Sequence, residues 1–397
     1  MQTAPGLFQV ELTNHCNIDC AMCARSSGLT RPVGNMDLAL FRKVVDQSRE
    51  NNFPIHWLHH FGETLIYPEL EAALEYFKNF GLGPGAVSTN AILLNKDKRE
   101  ILLRHAKRVL CCMDSMDSAA YRKIRNNNYF ERVKENIASL IDEKQMSKSS
   151  TEVIVQFLRS ECNRDENFTD IVDYFGSVEG VRFIEKRTDK HPSGGDIRIN
   201  FAKSARTLKQ DCPKMRGELC VLWTGECVPC CWDADGNQII GDLNLQPLDQ
   251  IWMGEAHREM IDALSANKRG LLKLCDNCAG PIDDNTHGLS ERIKAYARDW
   301  VLKKKRVALA PASATMIELV DSGRIADVEI VAMLDRSPRH DERLASRGIP
   351  VLPHAEADML DIDTLFIFSP QHSTDIYRSH QALKGKGVEI QVIGEFL

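Results

Sequence analysis

Three cysteines near the beginning of the chain, Cys16, Cys20 and Cys23, have the spacing of a metal-binding loop. They stand in the segment CNIDCAMC, directly after the first predicted strand. Soft thiolates are the usual protein ligands of iron–sulfur clusters. Three of them can bind three irons of a [4Fe–4S] cluster and leave the fourth iron open for a chelating cofactor. A zinc site is the alternative, but it must take a fourth ligand from elsewhere.

A second group of cysteines lies between positions 212 and 278, in a stretch with few long apolar runs. Its hydrophobic core is small, so a bound metal would stabilise its fold. A zinc ribbon with four cysteine ligands is the alternative here. We expect the cysteines between the two groups, Cys111, Cys112 and Cys162, to be buried thiols that behave as small apolar residues. The second group comprises Cys212, Cys220, Cys227, Cys230, Cys231, Cys275 and Cys278.

The composition narrows the class of protein. Apolar residues make up 43% of the 397 residues and charged residues 27%, which is ordinary for a globular protein. The net charge of −6 gives no electrostatic reason to expect a nucleic acid or an acidic membrane as partner. Because no signal peptide and no membrane-spanning run is recognisable, we expect a cytoplasmic protein. In that compartment clustered cysteines bind metal more often than they form disulfides.

The elements that must position these cysteines alternate between strands and helices over the first 190 residues. Alternation of this kind predicts a parallel sheet, and six units predict a partial (β/α)6 TIM-like barrel in an α/β protein. Barrel enzymes place their chemistry at the carboxyl ends of the strands, so residues that follow the strands are candidates for the site. The strands are predicted near 7–13, 55–61, 85–90, 108–114, 151–159 and 180–186.

Two further regions are predicted after the barrel. A turn-rich linker at 188–205 leads into the cysteine-rich module, and a βαβ pattern starts again near residue 305, as in a Rossmann-like α/β domain. The first turn of that domain lacks the glycines of a dinucleotide-binding motif, although Asp335 stands where a ribose ligand would be. We therefore expect a structural or partner-docking role. The predicted domains are 1–200, 201–288 and 305–397, with a helical connection at 289–304.

Over residues 7 to about 190 the sequence resembles the radical S-adenosylmethionine (SAM) superfamily. The family's GE motif appears as Gly62-Glu63, its STNG motif as Ser88-Thr89-Asn90, and its SxDS strand ending as Cys112-Met113-Asp114-Ser115. Tyr121 and Arg125 match the family's Y..iR helix. The resemblance implies a SAM-cleaving [4Fe–4S] cluster on Cys16, Cys20 and Cys23. It also implies contacts to SAM from Gly62, Glu63, Ser88, Asn90 and Asp114.

The second cysteine group resembles the SPASM/twitch extensions that follow many radical SAM domains. The matching features are Cys212, Gly225 and Cys230 at the family's spacing, and the later pair Cys275 and Cys278. No cysteine follows this pair, which favours the shorter twitch form with one auxiliary [4Fe–4S] cluster. The resemblance implies the ligands Cys212, Cys230, Cys275 and Cys278, with Cys220 or Cys231 as a substitute.

Among such enzymes the pattern is similar to the 2-deoxy-scyllo-inosamine dehydrogenases of aminoglycoside biosynthesis. That likeness implies an oxidoreductase that converts an alcohol of a sugar or aminocyclitol to a ketone, with the auxiliary cluster as electron acceptor. It also implies that Arg159 contacts the reacting hydroxyl, and that a flavodoxin or ferredoxin supplies electrons. Epimerisation, decarboxylation or peptide modification by the same radical remains open. A zinc-stapled binding protein is the alternative of another class.

Overall fold

Six strands form the partial barrel of the first part of the chain. β1 and β2 pair in parallel, as do β3 with β4 and β4 with β5. A parallel bridge between Trp57 and Ala86 connects β2 to the segment before β3. The α/β fold with a six-stranded partial barrel is therefore confirmed. The strands are β1 (Gly6–Val10), β2 (Ile55–Trp57), β3 (Val87–Thr89), β4 (Arg108–Cys112), β5 (Glu152–Arg159) and β6 (Val181–Arg187).

Helices alternate with these strands along the chain. In α1 the buried residues Phe41, Val44, Val45 and Ser48 recur at helical spacing, which gives the helix one face toward the core. Asp37 begins this helix by accepting hydrogen bonds from backbone N–H groups, and Asp117 does the same for α4. The helices are α1 (Leu38–Glu50), α2 (Leu70–Phe77), α3 (Lys96–His105), α4 (Ser118–Arg125), α5 (Phe130–Ser147) and α6 (Thr169–Phe175).

The cysteine-rich segment adds a small sheet to the free side of β1. β7 pairs in parallel with β1, and β8 and β9 continue the sheet in antiparallel pairs. These strands were not predicted, because they are only two to four residues long and carry no clear alternation. The elements are α7 (Pro213–Gly217), β7 (Glu218–Val221), β8 (Glu226–Val228), β9 (Gly241–Asp242), α8 (Leu248–Trp252) and α9 (Glu255–Ser265).

The C-terminal region forms a separate five-stranded parallel sheet in the order β12-β11-β10-β13-β14. This order reverses direction at β10, as in a doubly wound fold, so the Rossmann-like prediction is confirmed. Trp300 and Phe366 are central to its core. The elements are α10 (Leu289–Leu302), β10 (Arg306–Ala310), α11 (Ala314–Asp321), β11 (Glu329–Asp335), α12 (Glu342–Ala345), β12 (Val351–Pro353), β13 (Thr364–Phe368), α13 (Ser373–His380) and β14 (Glu389–Ile393).

The computed structural model describes residues 6–176, 178–187, 212–276, 278, 289–369 and 371–393. They fall into two compact units. One contains the described residues up to 166, with 178–182 and those from 186 to 278; the other contains 167–176, 183–185 and those from 289 on. The predicted linker at 188–205 and the proposed boundaries near 200 and 288 lie outside the described residues. No described helix combines the length and apolar character of a membrane span.

Two sequence expectations differ from the structure. The second strand is predicted to reach residue 61, but β2 ends at Trp57, so His59 and His60 lie beyond the strand. The chain leaves the sheet there because the Gly62 turn follows within a few residues. β12 was not predicted, because its three residues end in Pro353, which cannot donate to a ladder.

A fully buried carboxylate, Glu11, joins the end of β1 to three other segments of its unit. Arg31 donates two hydrogen bonds of 2.6 Å to it, one from each terminal nitrogen. The backbone N–H groups of Phe61 and Trp223 also donate to it, at 3.3 and 3.2 Å. His60 lies 3.5 Å away. Because a buried charge is costly without partners, these contacts fix the four segments together.

The same junction reaches the cysteine-rich segment through two further bonds. Arg31 Nε donates to the Ala234 carbonyl at 2.6 Å, and His60 Nε2 lies 3.1 Å from the Cys231 carbonyl. Burial alone would raise the pKa of Glu11, but His60 and Arg31 beside the carboxylate outweigh it and lower the pKa to about 2. Glu11 therefore stays ionised and holds its partners throughout the neutral pH range.

We predict that Glu11→Gln lowers the free energy of unfolding of this unit by about 3–5 kcal/mol, because it leaves the Arg31 charge buried without a counter-charge. Urea unfolding measures the loss. Glu100→Gln is the matched control, since its pair with Lys96 is exposed and spans 3.9 Å. That change should cost about 0.5 kcal/mol or less. Equal losses in the two variants would contradict the role of Glu11.

Wild type and Glu11→Gln also show how the free energy of unfolding of this unit depends on pH. The pKa of Glu11 is lowered in the folded state, so its contribution is complete above the ordinary value of 4.5 and is lost as the pH falls toward about 2. The difference in unfolding free energy between wild type and Glu11→Gln should shrink over that window. A difference that stays constant down to a pH of about 2 would show that the pKa of Glu11 is not lowered in the folded state.

Candidate active site

The loop with Cys16, Cys20 and Cys23 follows β1 and is fixed by its neighbours. The N–H of Ala21 donates to the carbonyl of Ile124, in the last turn of α4, at 3.0 Å. All three cysteines are free thiols; Cys20 is buried and the other two are partly buried. The loop therefore presents three thiols at the carboxyl end of the first strand, where barrel chemistry is expected.

Burial changes the acidity of these thiols. It raises the pKa of Cys16 to about 11 and that of Cys23 to about 12, and it raises the pKa of Cys20 as well. Neighbouring cysteines of the loop raise these pKa values further, since ionised thiols this close repel one another. Thiols of this kind stay protonated until a metal displaces the proton, so metal binding releases protons.

Gly62 lies directly against the backbone before the first cysteine. A Cβ atom at this position would lie 2.4 Å from the carbonyl oxygen of Thr13 and 2.9 Å from Cα of Asn14. The N–H of Glu63 donates to the carbonyl of His15 at 2.7 Å. Only glycine allows this approach, so the Gly62-Glu63 turn is one wall of the cysteine loop.

Glu63 and the end of β3 are joined by hydrogen bonds. The backbone N–H groups of Asn90 and Leu65 donate to the Glu63 carboxylate at 2.7 and 3.0 Å. Burial nevertheless raises the pKa of Glu63. The side-chain amide of Asn90 donates to Asn17 in the cysteine loop at 2.8 Å. Ser88, one residue before the end of β3, is partly buried. Three of the predicted SAM contacts, Gly62, Glu63 and Asn90, therefore lie next to the cysteine loop or the residues just before it. A fourth, Ser88, lies on β3, the strand that leads to Asn90.

Asp114 is buried after β4 and has a left-handed backbone with φ of 65°. Its carboxylate forms an ion pair with Arg125 and accepts a 3.0 Å hydrogen bond from Gln156. Arg125 also donates to the Cys20 sulfur at 3.3 Å. Of the three thiols expected to be buried and apolar, only Cys111 is buried; Cys162 is partly exposed, and so is Cys112, which lies 3.8 Å from the Gln156 amide. Its place at the end of β4 gives it a polar neighbour.

Arg159 ends β5, and its guanidinium is buried against the following loop. Its Nη1 donates to the carbonyls of Asn163, at 2.8 Å, and Arg164, at 3.2 Å, and to that of Glu166. The group also lies over the ring of Phe157, 4.6 Å from its centre. These contacts orient the guanidinium and hold the loop after β5.

The second cysteine group contributes to one cavity. The four predicted auxiliary ligands line it together, although 66 positions separate the first from the last. The N–H of Trp232 donates to the Cys230 sulfur at 3.4 Å. Trp232 is itself part of the lining. The lining consists of Cys212, Lys214, Met215, Cys230, Trp232, Leu264, Arg269, Leu274, Cys275 and Cys278.

The reserve ligands lie outside this lining. Cys220 packs with Leu222 and Val228 inside the β7–β8 hairpin, and Cys231 packs against that cluster. Cys227 is buried on β8. Among the described residues, no group of three or more histidine, cysteine, aspartate or glutamate side chains is placed to hold a single metal ion. A four-iron cluster makes a different demand, since each of its thiolates binds a separate iron.

Sequence reasoning missed three contributors to the site. Arg125 was assigned to a helix motif without a partner, and Gln156 and Glu11 were not singled out. Glu11 carries a local signal, a carboxylate that follows an apolar strand, but its partners are 20 to more than 200 residues away in the sequence. Such contacts depend on the fold and not on spacing.

Comparisons with known proteins agree with this geometry. Residues 10–155 match the Radical SAM superfamily model, and residues 212–279 match SPASM, an iron-sulfur cluster-binding domain. A probable GTP 3',8-cyclase of Methanococcus maripaludis is 27% identical over 175 residues, which are 44% of this chain and 56% of the relative. A probable GTP 3',8-cyclase of Methanothermobacter thermautotrophicus is 28% identical over 135 residues, 34% of this chain and 44% of the relative. The chain thus spans about half the length of the curated relatives it matches.

Two solved structures are similar to this chain, and the first of them has a TM-score high enough to show the same fold. Streptococcus suis SuiB bound to its precursor peptide SuiA has a TM-score of 0.53 at 12% identity, over 69% of this chain and 71% of the other. BtrN in complex with AdoMet and 2-DOIA has a TM-score of 0.48 at 16% identity, over 70% of this chain and 94% of the other. The Radical SAM domain brings SAM and a [4Fe–4S] cluster as cofactors, and the SPASM domain brings auxiliary iron–sulfur binding. Residues 10–155 are therefore a Radical SAM superfamily domain, and residues 212–279 are a SPASM iron–sulfur cluster-binding domain.

Proposed function

We propose that this enzyme removes a hydrogen atom from a small polar substrate and oxidises an alcohol, of a sugar or aminocyclitol, to a ketone. The observation that carries this proposal is the second cavity, in which Cys212, Cys230, Cys275 and Cys278 stand together. The hydrogen on carbon leaves as a hydrogen atom to the 5′-deoxyadenosyl radical formed from SAM, and the hydroxyl proton is released to solvent. One electron of the two-electron oxidation then remains on the substrate and needs an acceptor. Four thiols around one cavity supply the ligands of such an acceptor.

The donor sets fit the proposed clusters. The first loop has three free thiols, which suits a [4Fe–4S] cluster with one iron left for SAM. Four cysteines line the second cavity, which suits a cluster whose irons are all bound by protein. When bound, the first cluster would supply the electron that splits SAM into methionine and a 5′-deoxyadenosyl radical. The auxiliary cluster would supply the site that accepts the substrate's second electron.

The protein's own residues orient and shield these groups. In this proposal Gly62 and Glu63 contact the amino group of SAM, and Ser88 and Asn90 contact its ribose. Glu63 is held by the backbone N–H groups of Leu65 and Asn90, so its carboxylate is oriented before a ligand arrives. Asp114, which follows β4, is the fifth residue proposed to contact SAM. The buried rim keeps water from a reactive radical.

Arg159 acts on the substrate hydroxyl in this proposal. A guanidinium does not release its proton in proteins, so its role is to polarise the hydroxyl through N–H donors and not to act as a base. The carbonyls of Asn163 and Arg164 hold Nη1 in place. A donor held in advance stabilises charge that develops on the oxygen without reorganisation.

Radical cyclisation of a nucleotide is a second candidate function. The curated relatives that match up to 44% of the chain are named probable GTP 3',8-cyclases. A cyclisation of that kind leaves the mass of the substrate unchanged, whereas oxidation of an alcohol removes two hydrogens. Mass analysis of the products therefore distinguishes the two functions.

We predict that Cys16→Ala abolishes formation of 5′-deoxyadenosine from SAM under anaerobic conditions with dithionite, because one iron of the first cluster loses its ligand. Iron should fall from about eight to about four per chain. Cys162→Ala is the control, because this cysteine belongs to neither site, and it should keep wild-type iron and activity. Formation of 5′-deoxyadenosine by Cys16→Ala at the wild-type rate would exclude the assignment of the first cluster.

For the auxiliary site, Cys275→Ala should lose about four irons and still form 5′-deoxyadenosine. The matched control is Cys220→Ala, since Cys220 packs inside the hairpin and outside the cavity. It should retain the iron of the wild type. If Cys220→Ala lost about four irons and Cys275→Ala lost none, Cys220 would be the ligand in place of Cys275.

The role of Arg159 is tested by Arg159→Gln, assayed anaerobically with SAM, dithionite and candidate sugars or aminocyclitols. We expect the yield of the product lighter by two hydrogens, per 5′-deoxyadenosine formed, to fall about 10²-fold or more. Arg164→Gln changes an arginine on the same loop whose side chain is 62% exposed, and it should leave the yield unchanged. An unchanged yield in Arg159→Gln would remove this residue from the mechanism.

A further inference from the structure

Arg125 is a buried cation beside a cysteine of the first cluster loop. It is the last residue of α4, and 7% of its side chain is exposed. Its Nη1 donates to the Cys20 sulfur at 3.3 Å, and its Nη2 forms the ion pair with Asp114. A guanidinium remains charged at all pH values of interest. A permanent positive charge therefore stands in contact with a proposed cluster ligand.

The backbone fixes this contact. The carbonyl of Ile124, the residue before Arg125, accepts the N–H of Ala21, the residue after Cys20, at 3.0 Å. This bond holds the end of the helix against the cysteine loop, next to the pair of Arg125 and Cys20. Asn126 ends the helix in a left-handed conformation, with its N–H bonded back to Arg122. The backbone of Arg125 is therefore held beside the cysteine loop.

The buried surroundings of Arg125 strengthen the electrostatic interactions of its charge. Asp114 is fully buried and Tyr121 likewise, and the Tyr121 hydroxyl has no hydrogen-bond partner among the described residues. Charges interact more strongly in such a site than in water, because few mobile dipoles screen them. Only one carboxylate, that of Asp114, pairs with Arg125 in the described part of the chain.

We propose that Arg125 is a positioning residue that raises the reduction potential of the cluster bound through Cys20. The proposal rests on the assignment of Cys16, Cys20 and Cys23 as cluster ligands under the proposed function. In the redox step a low-potential donor gives one electron to the oxidised cluster, which gains one negative charge and no proton. A nearby cation stabilises the more negative, reduced form. Net charge and hydrogen bonds to sulfur are known determinants of cluster potentials.

The test is a redox titration with dithionite, followed by electron paramagnetic resonance in the absence of SAM. It is performed in a Cys275→Ala background, so that the first cluster alone is reduced. Arg125→Met should lower the ratio of reduced to oxidised cluster at fixed potential at least tenfold, about 59 mV for one electron. Arg125→Lys retains the charge and should change the reduction potential less. Arg122→Met, on the exposed face of the same helix, should leave the reduction potential unchanged.

Asp114→Asn gives an independent variant with the opposite sign. It removes the counter-charge and leaves the guanidinium in place, so the reduction potential should rise. If Arg125→Met does not retain a cluster, Arg125→Lys and Asp114→Asn decide the question. A wild-type reduction potential in Arg125→Met, or a lower reduction potential in Asp114→Asn, would overturn the role of Arg125. A wild-type protein without iron on the first loop would instead overturn the proposed function itself.

Discussion

The buried carboxylate of Glu11 is the interaction on which the site depends. It stands where β1 ends and the cysteine loop begins, and it binds Arg31, which follows the loop. Through Trp223 and the carbonyl of Ala234 the same junction includes the cysteine-rich segment. One charge pair therefore fixes both ends of the first cysteine loop and connects it to the second cysteine group. The low pKa of Glu11 follows from that arrangement.

The parallel topology of the barrel explains why residues distant in the sequence meet at the cysteine loop. Parallel strands end at one rim, so the residues after β1, β2, β3 and β4 become neighbours. Gly62, Asn90 and Asp114 come from three different strand ends and each lies close to the loop or to a residue that contacts it. The helix after β4 adds Arg125, which brings a positive charge to Cys20, a proposed cluster ligand.

Much of this was predictable from local pattern. The six barrel strands, the C-terminal parallel sheet and both cysteine groups follow from periodicity, spacing and family resemblance. The strands β7 to β9 were not predictable, because their pairing with β1 depends on contacts about 200 residues apart and not on alternation. Ion pairs such as those of Glu11 and Arg125 were missed for the same reason. The ligand sets and the role of Arg159 remain predictions.

We propose that this chain holds two iron clusters, one on the loop of Cys16, Cys20 and Cys23 and one in the cavity of the four later cysteines. Anomalous diffraction at the iron absorption edge, from crystals of anaerobically reconstituted protein, tests it most directly. Two separate iron peaks are predicted, one at each cysteine group. A single iron peak, or scattering at the zinc edge from either group, would contradict the claim.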